Sequence, residues 1–124
     1  MPARLRLALA LLIDAALVLA FVAIGRQEHD ESGATRDVLT VALPFWFGLV
    51  AGWVAAKVWR SPWALRTGAL IWPAVVIVGL CARRWVFGDG TAVAFVVVAT
   101  LFLGACLVGW RALAWLANRP ERLD

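Results

Sequence analysis

One carboxylate in this sequence stands where chemistry is hard to avoid. Asp14 interrupts the apolar stretch Leu5–Gly25, LRLALALLIDAALVLAFVAIG. A charged acid at the centre of a lipid-crossing helix costs at least about 2.5–3.5 kcal/mol. It must therefore be protonated, paired or hydrated. Nine residues or so from the inner boundary, at about 1.5 Å each, place it roughly 13 Å deep. Arg111 and Arg66 are the candidate cationic partners, both reaching up from the inner interface and neither at the depth of Asp14. Two roles fit such a residue. One is an ion or proton site on a transport path; the other is a buried ion pair or hydrogen-bond partner that holds helices together.

A second group of ionisable side chains follows directly. Arg26, Glu28, His29, Asp30 and Glu31 form the densest polar run of the chain, and Arg83, Arg84 and Asp89 fall on the same face. His29 is the sole histidine, the side-chain type that changes charge near neutral pH. Three adjacent residues on a loop do not converge easily on one ion, so neither a metal nor a cofactor is implied. A solvated, charge-balanced loop is the simplest reading, and a partner-docking or anion-gating surface the alternative. The chain carries no nucleophile–base set, no glycine-rich phosphate loop and no HExxH, so an enzyme is not expected. Cys81 and Cys106 lie inside apolar runs without a ligand-spaced His or Cys and read as packing residues.

The elements that position these residues are membrane helices. Of 124 residues 64% are hydrophobic, against about 45–50% in soluble domains. A core of this size cannot hide that surface, and the surplus has to face lipid. A spanning helix needs about 20 mostly apolar residues. Four segments qualify: about 5–25, 37–58, 62–85 and 91–116. The predicted fold is all-α, a single transmembrane four-helix bundle over 1–124 with short loops and antiparallel sequential neighbours. Ser61-Pro62 reads as an N-cap and N1 proline, Gly88-Asp89-Gly90-Thr91 as a tight turn, and Asn118-Arg119-Pro120 as a stop. A cleaved signal peptide is disfavoured, because Asp14 breaks the first run and three further spans follow.

Charge sets the expected topology. Arg4, Arg6, Lys57, Arg60, Arg66, Arg111, Arg119 and Arg122 fall on one side, and Arg26, Arg36, Arg83 and Arg84 on the other. The richer side is expected to be cytoplasmic, with both termini, in a multi-pass cell-membrane protein. The same scatter of basic residues between apolar runs argues against nucleic-acid binding, which needs a contiguous basic surface. Trp59, Trp63, Trp115 and Trp85 suit interfacial belts, while Trp46, Trp53 and Trp72 lie deeper and each needs an acceptor for its indole N–H. Helix packing with a carbonyl partner is the simpler account of these three. Pro44 and Pro73 should kink their helices. Gly48 and Gly52 form a GxxxG unit on the second span, and Ala105 and Gly109 a similar pair on the fourth, for contacts within the chain or across a homodimer.

Several of these pieces occur together in one known group. Asp14, Gly25-Arg26 with His29-Asp30, Pro44-Phe45 with Gly48 and Gly52, Gly90-Thr91 with Phe95, and Gly109-Trp110-Arg111 resemble domain-of-unknown-function family 3054. Its members are small four-span membrane proteins from actinobacteria and haloarchaea. The resemblance runs over about residues 8–112. It implies an integral membrane protein with no assigned activity and no site residues to carry over. Small multidrug exporters also have an acid in their first span, but lack this polar first loop and arginine-rich third helix. Fluoride channels share the length but not the residues of the pore.

Three functions are open to such a chain. An accessory or scaffold protein would act by helix and loop contacts with the bilayer, a second copy or other membrane proteins. A transporter or channel subunit would use Asp14 as its protonatable site. An intramembrane enzyme or lipid-binding protein would set Arg83 and Arg84 on lipid phosphate.

Overall fold

The computed structural model describes residues 2–29, 38–86 and 93–118. These form α1 (Ala3–His29), α2 (Val38–Ala56), α3 (Leu65–Cys81), a π-helical turn (Ala82–Val86) and α4 (Val93–Ala117). Four stretches are long and apolar enough to cross a membrane: Ala3–Gly25, Leu39–Ala56, Leu65–Trp85 and Val93–Ala117. At most 33% of any of these spans is buried inside the bundle. The remaining helix surface is also apolar, which only a lipid surround tolerates. The molecule is an all-α, four-helix membrane bundle.

Each helix lies beside its chain neighbour, and α4 closes the ring against α1. The start of α1, the α2–α3 connection and the end of α4 share one end, here the proximal end. The opposite, distal end holds the end of α1, the start of α2, the π-helical turn and the start of α4. Every helix turns one stripe inward at i+3/i+4 spacing. On α1 this is Ala10, Asp14, Val18 and Val22; on α4 it is Ala99, Leu103, Leu107 and Arg111. The acid and the base are thus members of the two stripes that face each other.

The seams differ in closeness. The α2–α3 seam is the most extensive and α1–α4 the least. Lipid gives apolar helices no hydrophobic reason to associate, so backbone proximity matters. A Cβ added at Gly48 would lie 2.8 Å from the Val75 carbonyl oxygen, and one at Gly52 3.1 Å from that of Ile71. The GxxxG unit is therefore where α2 rides on α3. The pair expected on α4 is not a contact within the chain: Ala105 is exposed, and a Cβ at Gly109 would meet nothing within 4 Å. Gly104, one position earlier in the inward stripe, takes that part and packs against the indole of Trp72. Trp72 is held there by donating to the Thr100 carbonyl at 2.8 Å. Pro44 and Pro73 both sit inside helices.

The end of α2 is a Schellman motif. Lys57 is in the left-handed region at φ 52°. Its N–H bonds the Val54 carbonyl, and the Val58 N–H bonds that of Trp53. The next helix starts at Leu65, three residues after the expected Pro62, with Ala64 as a cap that offers no side chain. Ser61 contributes its carbonyl rather than its hydroxyl, accepting from Ala64 N–H and from Thr67 Oγ1 at 2.6 Å. This turn leaves the Pro62 carbonyl facing into the bundle.

At the distal end Phe21, Phe45, Phe95 and Phe102 gather. Phe21 lies edge-on to Phe45 at 5.5 Å, and 6.1 Å and 5.4 Å from Phe95 and Phe102. The Arg83 guanidinium sits 4.4 Å above the Phe95 ring.

Candidate functional site at the proximal end

Asp14 and Arg111 meet in the proximal half as a fully buried pair. Nη1 of Arg111 donates to Oδ1 at 3.0 Å and Nη2 to Oδ2 at 2.9 Å, a bidentate fork. Both residues have 0% exposure. Each carboxylate oxygen accepts once more from an indole. Trp110 Nε1 donates to Oδ1 at 2.8 Å, and Trp53 Nε1 to Oδ2 at 3.0 Å.

The guanidinium is anchored as thoroughly. Its Nε donates to the Pro62 carbonyl at 2.9 Å, and Nη1 donates also to the Leu107 carbonyl at 3.0 Å. Its Cζ lies 4.6 Å from the centre of the Trp110 ring, within cation–π range. Gly68 gives the arginine stem its room: a Cβ there would fall 2.9 Å from Arg111 Cδ. Of the two candidate partners, only Arg111 reaches Asp14, while Arg66 is exposed on the first turn of α3. Arg111 therefore does not belong to the interfacial basic set.

The expected depth mismatch is present in the backbone and is bridged by the long arginine side chain. Trp53 stands three residues before the end of α2, about 4.5 Å along the axis. Arg111 stands six before the end of α4, about 9 Å along its axis. Asp14 stands eleven residues after the start of α1, about 16 Å along its axis. That is further from its helix end than Arg111 is from its own, and the arginine side chain spans the difference. A long side chain suits the place, because α1–α4 is the loosest seam and a guanidinium can bridge it.

A second line of contacts leads outward. Trp63 stacks edge-on to Trp110 at 5.7 Å, donates its N–H to the Arg6 carbonyl at 2.9 Å, and carries the Arg6 guanidinium 4.6 Å above its ring. Trp46 donates to the Ala15 carbonyl at 3.2 Å, next to Asp14. The carbonyl acceptors expected for the deep tryptophans are present for Trp46 and Trp72, whereas Trp53 has the carboxylate instead.

Tryptophans supply what the sequence did not disclose. Trp53 and Trp110 are neutral donors, so no charge pattern marks them, and the Pro62 carbonyl has no side-chain signature. The one available signal was adjacency, since Trp110 and Arg111 are consecutive. Of the polar cluster expected at the distal end, Asp30 lies outside the described residues, as do the side chains of Arg26 and His29. Arg83 is half-buried over Phe95 and Arg84 exposed.

Fold and site together define a small polytopic membrane protein whose one described acid within a span is locked to an arginine. It belongs to the family described as protein of unknown function (DUF3054), which matches residues 11–114, more than four-fifths of the chain and inclusive of both Asp14 and Arg111. No curated protein and no solved structure matches it.

Proposed function

We propose that this protein is a non-catalytic accessory or scaffold protein of the cell membrane, acting through its helix surfaces and loops on other membrane proteins, with both termini in the cytoplasm. One observation carries the reading. The intramembrane acid is fully buried and spends both oxygens on four donors from α2 and α4, which is the arrangement of a structural lock. A group that takes up and releases protons or cations during transport needs free lone pairs and a route to water. The basic proximal residues Arg4, Arg6, Lys57, Arg60 and Arg66 support the cytoplasmic orientation.

Affinity capture after crosslinking in native membranes tests this. The expected result is recovery of one or more other membrane proteins. Recovery of the protein alone would overturn the scaffold reading. The paired variant Asp14→Leu/Arg111→Met should retain the same partners. In proteoliposomes, ion flux that depends on Asp14 would instead favour a transport subunit.

A further inference from the structure

A cleft of about 450 Å³ opens at the proximal end between the start of α1, the α2–α3 turn and the end of α4. Its walls include Arg6, Arg60, Ser61, Trp63, Leu65 and Trp115, with no acidic residue among them. Arg6 and Arg60 are exposed, so their head groups can be reached from the aqueous side. The aromatic residues place the cleft at the depth of the lipid headgroups: Trp59 and Trp115 are each 53% exposed at this end, as indoles in an interfacial belt are.

Among the described residues the charge around the cleft is not balanced from within. Arg4, Arg6, Lys57, Arg60 and Arg66 are all exposed here. The one described acid of this end, Asp14, is already neutralised by Arg111. Two arginines over an apolar and aromatic floor match a phosphate joined to acyl chains. Arginine forks suit phosphate oxygens, and basic pockets between membrane helices take anionic headgroups.

The wall is also prearranged. Pro62 holds Arg111 through its carbonyl, and Trp63 is fixed between Arg6 and Trp110. The buried pair thus stiffens one side of the cleft before any ligand arrives, which lowers the ordering cost of binding. We infer that this cleft binds the phosphate headgroup of an anionic phospholipid, with Arg6 and Arg60 as its ligands and Trp63 and Trp115 flanking the glycerol region.

The test uses the full-length protein in detergent, with native mass spectrometry and thermal unfolding as readouts. Phosphatidylglycerol, phosphatidylcholine, glycerol phosphate and inorganic phosphate are titrated in turn. Phosphatidylglycerol is expected to bind and to raise the melting temperature, with the other three much weaker. Arg60→Gln should weaken it about fivefold, and Arg6→Gln/Arg60→Gln about thirtyfold. Arg4→Gln/Arg66→Gln removes the same charge outside the cleft and should stay within about twofold of the parent. Equal weakening by that control would overturn the site in favour of a diffuse basic surface. Equal binding of phosphatidylcholine would overturn the charge recognition, and equal binding of inorganic phosphate would overturn the lipid. Should the double variant fail to fold, Arg60→Gln alone decides, since Arg60 is exposed and supplies none of the bonds that hold Asp14 and Arg111. Arg6→Lys should retain binding.

Discussion

At the proximal end the space between α1 and α4 is filled by a carboxylate, a guanidinium and the indoles of Trp53 and Trp110. At the distal end it is filled by four phenylalanine rings under the Arg83 guanidinium. Ring contacts are tolerant of small rotations and shifts. A bidentate fork with two further indole donors is not, because each bond fixes both distance and direction. The polar end therefore specifies which helices meet and in what register, and the aromatic end supplies area. In lipid this division is useful, since area alone discriminates poorly between one apolar helix and another.

The comparison is broken most directly at Asp14. Asp14→Ala leaves the arginine buried without its counter-ion and should cost about 3–5 kcal/mol, or prevent folding. Asp14→Leu/Arg111→Met should recover most of that loss in denaturation by sodium dodecyl sulfate. If the double variant is no better than the single one, the pair is not a closed unit.

The tight seam is probed by Gly48→Ala. The new methyl meets the backbone of Val75 and Gly79, and should cost about 1–3 kcal/mol. Gly109→Ala, facing open space, should shift stability by less than about 0.5 kcal/mol. A result in which both are neutral would remove the close α2–α3 approach.

Next come the indoles. Trp53→Phe and Trp110→Phe each delete one donor to the carboxylate, at an expected cost of about 1–2 kcal/mol each. Phe21→Leu at the other end deletes ring contacts worth about 0.5–1.5 kcal/mol apiece. The proximal substitutions should couple strongly to Asp14→Ala in double-mutant cycles, and Phe21→Leu should not. Coupling of equal size at both ends would erase the distinction.

The smallest effect is expected at Lys57. A lysine in the left-handed region carries strain that glycine lacks. Lys57→Gly should stabilise by up to about 1 kcal/mol, read as a higher melting temperature.

Much of this was legible from residue types. Four apolar runs of spanning length fixed the number of helices and the surplus surface that lipid must cover. An acid within such a run had to be protonated, paired or hydrated, and Arg111 was one of two cationic partners in reach. The choice between them was not legible, because helices that are apolar all round announce no inward face. Only the packed stripe Ala99-Leu103-Leu107-Arg111 shows that Arg111 points in, while Arg66 precedes the buried Thr67 and Gly68. The same ambiguity hid that the small residue of α4 packed within the chain is Gly104, one position before Ala105. Ser61-Pro62 has the composition of a helix start, yet the backbone bonds the Ser61 carbonyl instead and delays α3 to Leu65. Tryptophan as a hydrogen-bond donor to an acid is silent in any hydropathy profile.

The two charges of the lock are 97 positions apart in the chain. At translation rates of about 5–20 residues per second, the ribosome makes the acid roughly 5–20 s before the base that neutralises it. During that interval the nascent first helix holds a group that hydrocarbon rejects. Until α4 packs, that acid must be protonated or hydrated, because three of its four donors arrive with the last helix.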